Sequence, residues 1–395
     1  MDTPEIIDRA PLAGRTILQV IPALEAGGAE RTCVEMAAAI VEVGGRALVA
    51  SRGGRMADAV KSAGGVHVSL PLDSKNPVQI LLNVQKISKL IKSQSIDLVH
   101  ARSRAPAWSA LLAARKHNLP FVTTYHGAYG QTHGLKRWYN SSMTRGDIVV
   151  ANSAFTADAI AHEMKHRKGR VEIIHRGVDL AAFSPDKVRP ERRRAMRAGW
   201  GLKPDDIALV LPARLTPWKG QQVAIDALTH MTETPHSERL TLVLVGDPAG
   251  KPDYAVHLRD MVRQAELGER VVFAGHCGDM PAVYAAADIV IVPSTRPEAF
   301  GRTIAEAGAM ARVVIATDHG GARETVIHGE TGFLVEPGDT EALAKSIERV
   351  LALPDTTSDA MATAAQQRIT ENFSLQKMTS ATIAAYCEAL AAPLG

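Results

Sequence analysis

The chain has 395 residues, of which 46% are hydrophobic and 22% charged, with a net charge of +3 at neutral pH. That composition excludes a mainly disordered or fibrous protein, and no apolar run reaches the roughly 18 residues of a membrane-spanning helix. At about 150 residues per domain the length predicts two or three domains, each able to bury its own core. Cys33, Cys277 and Cys387 lie far apart and read as reduced thiols of a cytoplasmic protein. Residues 1–15 carry acids and lack an apolar centre, so no signal peptide is expected.

In chain order, short aliphatic and β-branched runs predict strands over residues 16–21, 46–51, 97–100, 121–126, 148–152 and 171–174. A second set is expected over 207–212, 241–245, 271–274, 289–293, 313–317 and 333–336. Runs without alternation, such as Ile289 to Val292, indicate strands buried on both faces. Amphipathic stretches lie between them; Ile80, Val84, Ile87 and Ile91 share one stripe, with Lys86, Lys89 and Lys92 elsewhere. Regular strand–helix alternation implies doubly wound parallel sheets. The pattern restarts after a polar, Pro-containing stretch at 184–206, which holds the basic cluster Glu191 to Arg194 and is expected to be an inter-domain linker with a short helix. The expected organisation is an α/β N-terminal domain over 1–190, a similar C-terminal domain over 205–371, and a last segment, 372–395, returning to the first domain. Two such units facing a central cleft would bring their strand-end loops together, where open α/β sheets bind ligands.

Charge is unevenly spread. Residues 80–200 hold 21 Lys and Arg against 8 Asp and Glu, an excess of 13 that the rest of the chain must offset. Such a split suggests a basic face meeting something anionic, or else a solvated basic surface.

Candidate site residues sit at predicted strand ends. Gly27 and Gly28 follow the first strand and open a helix; they suit a phosphate or sugar hydroxyl near a helix N-terminus, or a plain tight turn. His126 ends the strand from Phe121, facing the cleft or serving as a structural histidine. Arg214 and Lys219 leave the first strand of the second half, five residues apart. A fork and a point charge at that turn can clamp a diphosphate, although surface cations would look the same. Glu298, Ala299, Phe300, Gly301 and Thr303 precede or open a helix, and Glu306 lies eight residues beyond Glu298, about two turns on. Free N–H groups at 301–303 suit phosphate oxygens and the carboxylates suit sugar hydroxyls, while an acid there is also ordinary helix-end chemistry. His162, Glu163 and His166 match the spacing of a zinc-protease helix, yet no third ligand is evident. No metal site is expected, and no P-loop is present.

In this order the motifs resemble the retaining nucleotide-sugar glycosyltransferases of family 4, with the GT-B fold. Gly27, Gly28, Glu30 and Arg31 carry the resemblance early, followed by Thr124, His126 and Gly127, then Asn152 and Ser153, and Gly177 with Asp179. Arg214, Lys219 and Gly220, Gly246 with Asp247, Gly275, Glu298 with Gly301, Glu306, and Gly320 with Gly321 carry it later. The resemblance implies that Gly28 lies against the donor phosphate or transferred sugar, and that Arg214 and Lys219 neutralise the diphosphate. Glu298 would hold sugar hydroxyls, aided by the backbone of Ala299, Phe300, Gly301 and Thr303. Glu306 would bind the nucleotide ribose, and His126 would contact the sugar near its reacting carbon by side chain or carbonyl. No cofactor beyond the sugar nucleotide is implied, nor any protein nucleophile. Three positions depart from the pattern: Arg176 where Asn is usual, Ala311 and Arg312 where a Gly-x-Pro turn is usual, and Trp218 before Lys219.

Relatives with a basic first domain imply a lipid-linked acceptor: a glycan or glycolipid of lipopolysaccharide or exopolysaccharide assembly. Arg102, Arg104, Lys136, Arg137 and Lys168 are the expected contacts with it or with an anionic inner leaflet, placing the chain peripherally on the cytoplasmic membrane. Nucleic acid is not an expected partner. Alternative activities for the same cleft are a sugar-nucleotide isomerase and a phosphorylase; a binding module without activity would need a damaged clamp.

Overall fold

The computed structural model describes residues 10–25, 27–127, 134–163, 169–232, 234–248, 250 and 252–392. They form two α/β units, one of residues 1–176 with 376–395 and one of residues 177–375. In the first, β1 (Thr16–Val20), β2 (Arg46–Ser51), β3 (Val66–Ser69), β4 (Leu98–Ala101), β5 (Phe121–Tyr125), β6 (Ile148–Ala151) and β7 (Arg170–Ile173) build a parallel sheet. Its order is β3-β2-β1-β4-β5-β6-β7. In the second, β8 (Ile207–Pro212), β9 (Leu240–Val245), β10 (Val271–Gly275), β11 (Ile289–Val292), β12 (Val313–Thr317) and β13 (Phe333–Val335) form a parallel sheet ordered β10-β9-β8-β11-β12-β13. Each order reverses direction once, between β1 and β4 and between β8 and β11. Ligands of doubly wound sheets bind beyond the strand ends at such a reversal.

The continuous apolar runs have their physical reason in the second unit. Leu209, Leu211, Leu242, Leu244, Ile289 and Ile291 face one core. Their neighbours Ala208, Val210, Val243, Val245, Val290 and Val292 face another on the opposite side of the sheet. Successive side chains point to opposite faces, so a strand covered on both sides has no polar alternation to show. The strand from Val66 to Ser69 was not expected; it is a four-residue edge strand with Val66 41% exposed, too short and half-solvated to leave a run. The stripe on helix Pro77–Ser93 buries Ile87 and Ile91, and Ile80 and Val84 pack against the same core.

The first domain was expected to reach 190, with a linker over 184–206. The structure divides the chain after Arg176 instead. Phe183 and Trp200 are buried in the second unit's core, and helix Pro190–Gly199 packs against helix Met280–Ala286. Helix 190–199 buries no residue of its own; its cations hold it. Arg192 pairs with Asp279, and Arg197 donates to Asp288 at 2.9 Å and to the Ala286 carbonyl at 2.9 Å. The basic cluster therefore belongs to the second unit and faces acids there. By these boundaries the first unit holds 24 Lys and Arg against 15 Asp and Glu, and the second 21 against 27. The asymmetry survives, at +9 against −6.

The last helix, Leu375–Ala391, brings residues 376–391 onto the first unit. Tyr386, fully buried, places its hydroxyl 2.6 Å from His100 Nδ1 on β4. Among the described residues no helix is long and apolar enough to cross a membrane.

Candidate functional site

In the second unit the reversal between β8 and β11 gathers most of the expected donor residues. Lys219 follows β8 and Glu298 follows β11. Lys219 Nζ donates to Glu298 Oε1 at 2.7 Å, both side chains being 14% exposed. Ser294 Oγ donates to the same oxygen at 2.6 Å. An opposite charge and a hydroxyl thus hold one carboxylate oxygen, leaving Glu298 Oε2 for a ligand. Lys219 also lies 4.3 Å from the centroid of the Trp218 ring, so that departure from the family pattern packs against the lysine it precedes.

Two helix N-termini open at the same place. Gly220 caps helix Gln221–Thr229 and Gly301 caps helix Arg302–Ala309, both in the left-handed region, with φ of +76° and +83°. A Cβ on Gly220 would fall 1.8 Å from the Pro293 carbonyl oxygen, so glycine is required by close approach as well as by φ. Neither cap uses a side chain, which leaves first-turn N–H groups directed outward as anion donors. Ala299 precedes the second cap, Phe300 is 2% exposed, and Thr303 Oγ1 donates to the Pro212 carbonyl at 3.3 Å. Arg214 is exposed beyond the end of β8, free to swing onto a diphosphate.

Glu306 is 9% exposed. Its Oε1 accepts from Arg302 Nε at 2.8 Å and its Oε2 from the Tyr284 hydroxyl at 2.9 Å. Burial, followed by the Glu306 charge, pushes the Tyr284 phenol well above its ordinary value and keeps it a donor. Each Glu306 oxygen retains a lone pair for a ribose hydroxyl.

Sequence reasoning singled out Gly320 and Gly321 but gave their loop no part in this cluster. Thr317 Oγ1 donates to the Ser294 carbonyl, and His319 Nε2 lies 2.8 Å from the same oxygen. A Cβ on Gly320 would meet the Glu298 carbonyl at 2.4 Å, and Gly321 N donates to that carbonyl at 2.9 Å. The adjacent glycines were the visible signal; their partner, some 22 residues upstream, was not. The Lys219–Glu298 pair itself spans 79 positions.

In the first unit the reversal lies between β1 and β4. Gly27 caps helix Gly28–Glu42 without a side-chain bond of its own, and the Glu30 carboxylate folds back over it, where a Cβ on Gly27 would collide with that group. Ala26 lies outside the described residues. His126 follows β5, and Arg176 places a guanidinium nitrogen 3.0 Å from its Nδ1. Arginine can only donate, so Nδ1 accepts and the ring is neutral. Burial, then the Arg176 and Arg102 charges, hold the His126 imidazole well below its ordinary value. The departure at Arg176 is thereby accounted for: it fixes His126.

One expected surface cation is misplaced. Arg102 is 2% exposed, with Nε donating to Gln19 Oε1 at 2.6 Å; it is an interior residue and touches no acceptor or membrane from a surface. It stands directly beyond the inner strand β4, where the sheet and the last helix cover it. Arg104 is partly buried and bonded to Asn140 Oδ1 at 3.2 Å. Lys136 and Arg137 are exposed on helix Gly134–Asn140, beside Trp138, 58% exposed and stacked on Trp108. Lys168 lies outside the described residues. So does part of the zinc-like motif; His162 is exposed at the end of helix Ala154–Glu163. Among the described residues no cluster of three His, Cys, Asp or Glu could hold a metal.

Comparison with known proteins places both units. The family described as Glycosyltransferase Family 4 matches residues 26–182, and that described as Glycosyl transferases group 1 matches residues 192–368. A glycosyltransferase of Rickettsia africae is 35% identical with a TM-score of 0.87, over 96% of this chain and 99% of that one. HepE of Anabaena, solved with UDP-glucose, is 28% identical with a TM-score of 0.81, over 94% and 99%. The D-inositol 3-phosphate glycosyltransferase of Jonesia denitrificans is 30% identical over 73% of this chain and 71% of its own length. With this identity and coverage, and with two doubly wound units each carrying polar groups at its strand reversal, the chain belongs to the family 4 glycosyltransferases of the GT-B fold.

Proposed function

We propose that the protein transfers a hexosyl group from a nucleoside-diphosphate sugar to a hydroxyl of a lipid-linked glycan, with retention of anomeric configuration and without a metal. The observation that carries this reading is the Lys219–Glu298 pair set between two open helix N-termini at the β8–β11 reversal. Departure of the nucleoside diphosphate develops negative charge at its β-phosphate. Lys219, Arg214 and the N–H groups after Gly220 and Gly301 are preorganised donors for that charge, the kind of stabilisation that counts most in a site shielded from water. Glu298, oriented by Lys219 and Ser294, takes sugar hydroxyls through its second oxygen. The departing phosphate accepts the proton of the attacking hydroxyl on the same face, so no protein nucleophile is required. HepE supports the donor class through its bound UDP-glucose.

The first unit is the proposed acceptor domain, with Gly28 and His126 following its strand ends. Its excess of nine positive charges supports a phosphate-bearing or otherwise anionic lipid surface on the cytoplasmic leaflet, with Lys136 and Arg137 as contacts.

The reading is tested by a thermal-shift screen of UDP-, GDP- and ADP-sugars, where a ligand at 100 times its dissociation constant adds about 2.7 kcal/mol. With the donor identified, Lys219→Ala and Glu298→Ala should each lower kcat about 100-fold or more while keeping a native circular dichroism spectrum. Wild-type turnover by either variant rejects the site assignment. Full loss of activity in EDTA, restored by a divalent ion, rejects the metal-free mechanism. Turnover of the sugar nucleotide alone, or a requirement for inorganic phosphate, would instead identify an isomerase or a phosphorylase.

A further inference from the structure

The first unit contains a small, partly open cavity at the carboxyl ends of β4 to β7, bordered by Met378 and Thr382 of the last helix. Arg102, Thr124, His126, Asn152 and Arg176 supply most of its polar lining, and its size suits a single water-sized particle. Among the described residues no carboxylate lines it.

Arg102 carries a full positive charge at 2% exposure. Its bonded acceptors are neutral: Gln19 Oε1 at 2.6 Å and the Tyr386 hydroxyl at 3.4 Å. Tyr386 cannot become a counter-ion, because burial pushes its phenol up to about 12. The neighbouring Cys33 thiol is likewise pushed up to about 12 by burial. His100 and His126 are both held well below their ordinary values by burial and by the arginine charges. Asn152 is 2% exposed; its Oδ1 accepts from Thr156 Oγ1 at 2.8 Å, and its Nδ2 is a buried donor with no acceptor among the described residues. A buried guanidinium and a buried amide donor thus border one atom-sized space. A buried charge requires an opposite charge, and a buried donor requires an acceptor; one small anion answers both.

We propose that this cavity is a binding site for a single monatomic anion, chloride under physiological conditions, held by the Arg102 guanidinium and the Asn152 amide beneath the last helix. The anion balances Arg102 and ties the ends of β4 and β6 to helix Leu375–Ala391. Every lining residue belongs to the first unit, and His126 is shared between this cavity and the proposed acceptor side.

The test is the melting temperature of the full chain at constant ionic strength as gluconate is replaced by chloride. The expected result is a saturable rise of several degrees, with bromide able to substitute. Equal melting temperatures in the two salts would overturn the proposal, with water as the occupant. Asn152→Asp places a fixed carboxylate in the lining that it shares with Arg102 and should abolish the chloride response while raising the melting temperature in gluconate. A response unchanged from wild type would place the anion elsewhere and defeat the assignment. Should that variant not fold, wild-type crystals grown in bromide decide the matter. An anomalous peak at hydrogen-bonding distance from Arg102 and Asn152 Nδ2 supports the site, and its absence from the cavity rejects it.

Discussion

At the scale of single residues, partners decide roles. Lys219 and Glu298 looked like a phosphate cation and a sugar-binding acid with separate duties. Their 2.7 Å contact makes each the orienting group of the other, so removing either leaves a partly buried charge uncompensated. Arg102 shows the opposite surprise, since the sequence offers no sign that a cation in a basic stretch is interior. Ala311 illustrates backbone strain. It holds φ of +50° after the helix ending at Ala309. A left-handed alanine costs roughly 1–2 kcal/mol, part of which glycine returns as entropy lost on folding. Ala311→Gly should therefore stabilise the second unit by about 1 kcal/mol, read as a higher urea midpoint at unchanged slope. A lower midpoint would show that the turn tolerates its alanine without strain.

At the scale of elements, strands and their ends were legible because both faces are buried and the apolar runs are continuous. Edge strand 66–69 was not, because it exposes half its residues. A short helix within 184–206 was legible, but its place in the second unit was not, because it is held by ion pairs to acids more than 80 positions away. The last helix is tied to β4 by Tyr386 and His100, and His100 Nε2 lies 2.7 Å from Thr124 Oγ1 on β5. This joint has a pH signature. His100 and His126 have folded-state values well below 6.5, set first by burial, whereas both protonate near 6.5 once unfolded. The unfolded chain then binds more protons as pH falls below about 6.5, so stability is full above that value and declines in acid. Each histidine contributes a slope of up to about 1.4 kcal/mol per pH unit. The urea midpoint should fall between pH 7 and pH 5, and less steeply in His100→Gln. An identical slope in that variant would remove His100 from the account.

At the scale of the whole molecule, the total of +3 conceals a first unit at +9 and a second at −6. The sequence located the excess in residues 80–200, but six of those cations, Lys187 to Arg197, belong to the acidic second unit. What persists in the first unit includes the exposed Lys136 and Arg137. If that charge serves membrane attachment, the protein should co-sediment with anionic vesicles and not with neutral ones, and release at 0.5 M salt, where screening shortens to a few ångströms. Equal binding to both vesicle types would remove the electrostatic basis for the attachment.

Local pattern alone determined the α/β class, twelve of the thirteen strands seen in the described residues and the glycines that open helices at strand ends, because burial on both faces and positive φ restrict residue type position by position. Only the tertiary structure decided where one unit ends, which strand order creates the reversal that holds Lys219 against Glu298, that Arg176 fixes His126, and that Arg102 is interior. Those facts depend on contacts between residues tens to hundreds of positions apart, and a charged side chain in sequence carries no mark of whether its partner will be water, an acid or a buried amide.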